Sequence, residues 1–364
     1  MKFSIIVHNK VKKNLHPDGL PVDGYLKDTW INGLKRICTY TENHEEADFS
    51  LFFIYYPGVD YEYDDTLDKV KFNNIIVVDY IEFGDGITFK KDYKNCYSIY
   101  GFKHDLEKIQ PNYWEVNKSF CAKVHEKLQS VLKPYIRLYY KREMISDLDY
   151  SKIGVDVLPC DYINYISDFK VYNRDDFYSE KTVDLLYIWG RSGIDRVKMH
   201  ARIMYEMDKW GHSMFFSEKQ FQHYHLDNNS SRTILLFGFE GFERVDWIYY
   251  QNLSQCVLDM FGSGMKCFRN VESSFGAVSI KQDPTVLVHK YPWVDGVNCV
   301  SLPIKEDNHI DIDNSLEKIW DYIRGDKRDD LYNIYLNSIE TGRKYDTMVY
   351  LTNYVLPEIK CRLA

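Results

Sequence analysis

The sequence predicts two α/β domains, each a largely parallel sheet covered by helices on both faces, set against each other across a cleft. Three observations carry this. The chain has 364 residues, more than one ordinary hydrophobic core organises, so two domains are the natural division. Continuous apolar runs such as NIIVVD at residues 74–79 lack the alternation of a half-exposed strand and suit strands buried on both faces. Segments of helical period lie between such runs, giving a β-then-α rhythm in both halves.

Lys2 to His8 is a short β-rich run, and Asp23 is placed to cap a helix carrying Leu26, Trp30, Leu34 and Ile37 on one face. Ala47 to Tyr55, closed by Pro57 and Gly58, is a second strand and Asn74 to Asp79 a third. Asn117 to Leu132 has helical periodicity. Tyr135 to Met144 is a basic-aromatic segment that reads as a solvated helix face or as a lining of the cleft, and Val155 to Leu158 is a further strand. Residues 167–181 are polar and aperiodic and mark the linker, so residues 1–172 form the first domain and 173–345 the second. Beyond it come a strand at Val183 to Trp189, a helix from about Ile194 to Trp210, short strands at Ser213 to Phe216 and Thr233 to Phe237, and a helix at Arg244 to Gln251. Gln255 to Met260 is a strand, Lys266 to Phe275 a helix and Ala277 to Ile280 a strand, and Leu331 to Ile359 is helical with Tyr and Leu recurring.

Composition narrows the function. A formal net charge of -8 argues against nucleic acid held by general phosphate attraction, so any phosphate site is local. The eight cysteines are scattered, with no Cys-x-x-Cys pair and no clustered histidine, and read as reduced thiols rather than metal ligands. The opening MKFSIIVH lacks the features of a signal peptide, and no run approaches the roughly 20 apolar residues of a membrane span. A cytoplasmic protein without an integral membrane segment is expected. The 31 tyrosines are mostly fillers of half-buried positions.

Residues 256–280, CVLDMFGSGMKCFRNVESSFGAVSI, carry the chemistry. They read as strand, glycine turn, helix, glycine, strand. A helix starting at Lys266 aims free backbone N–H groups into the turn, where Gly262, Ser263 and Gly264 let an anion approach the main chain. This outlines a diphosphate cradle. Arg269 and Glu272 share a helical face, so one can meet phosphate oxygens while the other accepts from sugar hydroxyls. The same pair is also what a solvated ion pair looks like.

The pattern Cys256, Gly262, Gly264, Phe268, Arg269, Glu272, Gly276 resembles the donor-binding signature of the exostosin-like glycosyltransferases, and the general character is similar to viral glycosyltransferases. The family's proline after the last glycine is replaced by Val278-Ser279-Ile280. The resemblance implies two Rossmann-like domains in the GT-B arrangement, a C-terminal helix (346–364) crossing back onto the first domain, a nucleoside-diphosphate sugar as donor, no separate cofactor, and inverting transfer to a glycan or glycoprotein. It also implies a basic residue for the leaving diphosphate, for which Arg191 in the Trp189-Gly190-Arg191-Ser192-Gly193 loop is the first choice.

Inverting transfer needs a base in the first domain to take the acceptor hydroxyl proton. Asp79 stands at the C-terminal end of a strand, where open α/β sheets bind ligands, and ranks ahead of Glu82 and His8. Asp311-Ile312-Asp313 spells the Asp-x-Asp of metal-dependent enzymes but precedes Asn314 and Glu317 at capping spacing, and reads as a helix start, leaving no metal site. Two other readings stand beside the transferase. An S-adenosylmethionine methyltransferase wants glycines after the first strand, where the chain has His8-Asn9-Lys10, and a non-catalytic sugar-binding protein would not need Arg269 and Glu272.

Overall fold

The computed structural model describes residues 1–6, 9–11, 27–54, 61–63, 65–80, 126–142, 144, 146, 149–166, 169–189, 194–210, 213–216, 233–239, 244–260, 269–305 and 310–364. The N-terminal half builds strands β1 (Lys2–Ile6), β2 (Asn9–Val11), β3 (Thr39–Tyr40), β4 (Phe49–Ile54), β5 (Tyr61–Tyr63), β6 (Ile75–Asp79), β7 (Ile136–Lys141) and β8 (Val157–Pro159), with helix α1 (Asn32–Ile37) entered through a π-helical turn at Lys27–Ile31. Six of these strands form one parallel sheet in the order β3-β1-β4-β6-β7-β8, and β2 and β5 make a separate antiparallel ribbon.

Both faces of this sheet are buried, which is why its strands read as unbroken apolar runs. Phe3, Ile5, Phe49, Leu51, Phe53, Ile76, Val78, Leu138 and Tyr140 pack on one side with Trp30 and Leu34. Phe52, Ile54, Val77 and Tyr139 pack on the other with Leu128 and Leu132. The basic-aromatic segment at 135–144 is therefore no helix face. It forms β7, whose alternate residues Leu138 and Tyr140, then Tyr139, serve opposite cores.

The second half adds α2 (Arg174–Ser179), β9 (Val183–Trp189), α3 (Ile194–Trp210), β10 (Ser213–Phe216), β11 (Thr233–Phe239), α4 (Arg244–Leu253), β12 (Ser254–Asp259), α5 (Arg269–Gly276), β13 (Val278–Gln282), β14 (Val300–Leu302), α6 (Ile312–Ile323), α7 (Leu331–Arg343), α8 (Thr347–Tyr350) and α9 (Leu356–Leu363). Its six parallel strands run in the order β10-β11-β9-β12-β13-β14. Helix α2 falls inside the segment expected to be a plain linker. Asn173 caps it through Asp176 N at 2.9 Å, and Phe177 inserts it into the second core beside Leu185, Tyr187 and Tyr335. One apolar anchor in a polar stretch leaves no periodic signal, yet it suffices to dock the turn.

The C-terminal segment returns to the first sheet. Tyr350, Leu351, Val355 and Ile359 join the first core, Tyr140 donates its hydroxyl to Val355 O at 3.2 Å, and Tyr354 donates to Pro159 O at 2.8 Å. A Cβ on Gly33 would lie 2.4 Å from Leu351 Cδ1, so that glycine lets α1 and the returning helix approach closely.

Candidate functional site

Strand order fixes where an open α/β sheet offers a crevice: at the C-terminal ends of the two strands between which the order reverses. In the second sheet these are β9 and β12, since β10 and β11 lie to one side of β9 and β12 to β14 to the other. β9 leads into α3, and β12 leads towards α5. The segment between β9 and α3 contains Arg191 and the segment between β12 and α5 contains Gly262, Ser263, Gly264 and Lys266, all outside the described residues.

The described walls of this crevice are tied together. Arg196, in the first turn of α3 and buried, donates from Nε and Nη2 to Met260 O just past β12, at 3.1 and 2.5 Å. Asp195 accepts from Gln282 Nε2 at 3.0 Å and from Ile310 N at 3.1 Å, which locks the same turn to the end of β13. The start of α3 is thereby held against the exit of β12, the relation a two-sided anion seat requires.

Helix α5 begins at Arg269, whose side chain lies outside the described residues. Glu272 is buried rather than solvated, at 5% exposure, which removes the exposed ion-pair reading for this carboxylate. Its Oε1 accepts from Asn164 Nδ2, and its main-chain carbonyl accepts from Gln251 Nε2. Asn164 also bonds the returning chain, through its N to Tyr345 O at 3.2 Å and its O to Thr347 N at 3.0 Å. Gly276 closes the helix without positive φ; a Cβ there would stand 2.9 Å from Phe169 Cδ1.

A feature the sequence reading missed recurs in both sheets. Asp259 and Lys281 are register partners on β12 and β13 and form a buried ion pair at 3.2 Å, with Lys281 over the Trp293 ring at 4.4 Å. Asp79 and Lys141 are register partners on β6 and β7 and pair at 3.0 Å, where the Tyr139 hydroxyl also donates to Asp79 Oδ2 at 2.5 Å. In each six-stranded sheet these are the fourth and fifth strands in chain order, and each pair stands towards the strands' C-terminal ends. The signal was present as an Asp closing one apolar run and a Lys closing the next, but only register brings them together.

This geometry recasts Asp79. It lies at the strand end the sequence assigned, but its side chain is fully enclosed and holds an ammonium and a phenol. Such a carboxylate organises the β6–β7 edge, and to act as a base it would first have to release both donors. Glu82 and His8 lie outside the described residues. Of the expected basic cluster, Arg137 is exposed and bonds Asn74 Oδ1 at 2.9 Å, while Arg142 is buried with its guanidinium 5.0 Å from the Tyr162 ring and 5.7 Å from the Tyr80 ring.

The first sheet's C-terminal edge meets the chain that follows β13. Val288 N donates to Met144 O at 2.7 Å, Ser146 N to Val286 O at 3.0 Å, and His289 Nδ1 lies 2.7 Å from Asp161 Oδ1. The chains that leave the C-terminal ends of β7, β8 and β13 are thus bonded to one another. Asp311 is the N-cap residue of α6, with Asn314 Nδ2 donating to its Oδ2 at 2.7 Å, and Asp313 pairs with Arg202 at 3.2 Å, so the Asp-x-Asp run is the helix start its sequence context indicated. Burial pushes the Cys299 thiol up to about 12.

No family model matches the chain, and no curated protein does. Solved structures similar in fold include an alpha-glucosyltransferase in complex with UDP-glucose and DNA containing an abasic site, 8% identical, with 98% of each chain covered and a TM-score of 0.45. A UDP-forming alpha,alpha-trehalose-phosphate synthase from Burkholderia xenovorans in complex with glucose-6-phosphate is 10% identical, covering 92% of this chain and 77% of that one at a TM-score of 0.44. A trehalose-6-phosphate synthase is 9% identical, covering 94% and 79% at 0.46. Among the described residues no helix is long and apolar enough to cross a membrane.

Proposed function

We propose that the chain is a glycosyltransferase that moves a sugar from a nucleoside-diphosphate sugar to a hydroxyl of a glycan or glycoprotein, with inversion and without a metal ion. The observation that carries this reading is the reversal of strand order between β9 and β12. The Arg191 loop and the Gly262-Ser263-Gly264 turn, two segments singled out from sequence on separate grounds, follow these two strands directly in the chain, which supports a shared donor site. The backbone amides at the starts of α3 and α5, together with Arg191, Lys266 and Arg269, would hold the diphosphate and stabilise its charge as it leaves. Glu272, held by Asn164, would accept from a ribose or sugar hydroxyl.

In the transfer step the acceptor oxygen attacks the anomeric carbon from the face opposite the diphosphate. The bond to the diphosphate breaks, and the acceptor proton passes to a first-domain base, Glu82 or His8. The net charge of -8 disfavours a polyanionic acceptor. Calorimetric titration with UDP, GDP and S-adenosylmethionine, each with and without chelator, tests the reading. One nucleoside diphosphate should bind equally in both conditions while S-adenosylmethionine gives no heat. Binding of S-adenosylmethionine alone would reinstate a methyltransferase, and silence throughout a non-catalytic protein.

A further inference from the structure

The outer side of α3 carries a feature that donor binding does not use. Two cavities of about 460 and 620 Å³ lie between α3 and the start of α6 and share Arg202 and Asp313 in their walls. They form one groove along α3 from Asp195 to Glu206, about 16 Å at 1.5 Å of rise per residue. Each cavity is within the usual size of small-molecule sites.

Its lining has an unusual combination. Tyr205 is 79% exposed and Trp320 36% exposed, and they belong to the two different cavities. The Tyr205 ring in particular offers a face to a ligand lying in the groove. Between the two rings the polar groups are fixed. Arg202 Nη2 is held by Glu206 at 2.7 Å and by Asp313 at 3.2 Å, and its guanidinium stands 5.5 Å from the Tyr205 ring. Among the described lining residues, the cations of Lys198, Arg202 and Lys305 face the carboxylates of Asp195, Glu206, Asp313 and Glu317, so the groove is close to charge balance with a slight acidic excess that disfavours a polyanion.

We propose that this groove binds a neutral oligosaccharide, with Tyr205 and Trp320 stacking on separate sugar rings and the carboxylates and Arg202 taking hydroxyl groups. Apolar ring faces and many hydroxyls without charge are what such a lining complements: flat aromatic surfaces for the C–H faces, and both donors and acceptors for the rim. One end of the groove adjoins the crevice at Asp195, but Tyr205 lies ten residues further along α3, about 15 Å away at 1.5 Å of rise per residue, so the groove would retain a glycan chain while transfer takes place elsewhere.

The test is calorimetric titration of the full chain, Tyr205→Ala and Trp320→Ala with maltohexaose, cellohexaose and chitohexaose, and with a DNA duplex as the polyanionic control. Both substituted side chains are exposed, so the variants should fold as the parent does. At least one neutral hexasaccharide should bind, each variant should weaken it roughly tenfold, the scale of one aromatic contact, and UDP or GDP affinity should be unchanged in both. Three outcomes would overturn the proposal: no hexasaccharide binding at millimolar concentration, binding unaltered in both variants, or binding of DNA in preference to every hexasaccharide. Loss of the transferase reading would show instead as absent nucleotide binding in the same parent protein.

Discussion

Replacing Lys181 with Met should loosen α5, the helix that carries Glu272. Lys181 is fully buried, and its Nζ donates to Gly276 O at 2.6 Å, Asn252 O and Ser254 O at 2.9 Å each, and Gln251 O at 3.4 Å. Gly276 ends α5 and Asn252 lies in the last turn of α4, so one side chain satisfies carbonyls at two helix ends that have no intrahelical partner. The rings of Tyr172, Tyr335 and Phe177 enclose it at 4.6, 5.5 and 5.9 Å. Methionine fills the space but orphans three closely bonded carbonyls at about 1–3 kcal/mol each, less the relief of no longer burying an amine. The net loss should be about 3–5 kcal/mol, as when one partner of a buried pair is removed, or on the order of 10 °C in the second domain's unfolding midpoint.

Burial also pulls the Lys181 pKa well below its ordinary value of 10.5. The unfolded chain then binds the proton more readily, so in the window below 10.5 wild-type stability rises with pH. Lys181→Met should lack that increment. Urea unfolding of both proteins between pH 8 and 10 reads both effects. A loss under 0.5 kcal/mol with identical pH slopes would refute the reasoning, because it would mean the carbonyls never depended on Lys181.

Asp79→Asn leaves the Lys141 ammonium buried against a neutral amide and should cost about 3–5 kcal/mol, with nucleoside-diphosphate affinity unchanged; turnover lost at unchanged stability would instead return Asp79 to the role of base. Arg269→Ala should weaken diphosphate binding by about 1.5–3 kcal/mol, the range for a hydrogen bond to a charged group, and spare the plain nucleoside, whereas Glu272→Ala should weaken both; calorimetry separates these. Burial holds the phenols of Tyr345 and Tyr350 well above their ordinary value of 10. Their stabilisation is complete below pH 10 and is lost above it, by up to about 1.4 kcal/mol per pH unit for each ring. Alkaline unfolding followed by circular dichroism should therefore be steep, and Tyr350→Phe should flatten it by one proton.

Much of the alternation was legible because buried parallel strands advertise themselves as short apolar runs. Val183 to Trp189 and the helix from Ile194 to Trp210 appear with the bounds the sequence suggested. β7 did not, because IRLYYK carries cations at both ends and its Lys141 is neutralised by a residue 62 positions away. Lys181 was hidden for the same reason: its partners are main-chain carbonyls, which no side-chain pattern records. Glu272 was found through its spacing from Arg269, but its bond to Asn164 belongs to the meeting of two segments 108 residues apart. The crossing of strand order that locates the crevice is likewise a property of pairing rather than of any segment.

The central claim is that a nucleoside diphosphate sits at the reversal point between β9 and β12. Crystals of the chain soaked with UDP and, separately, with GDP would test it most directly. Difference density for one of them should appear between the start of α3 and the start of α5, with the diphosphate against residues 262–264 and no metal ion beside it. Density for the nucleotide elsewhere in the molecule, or a diphosphate bridged by a cation to carboxylates, would contradict it.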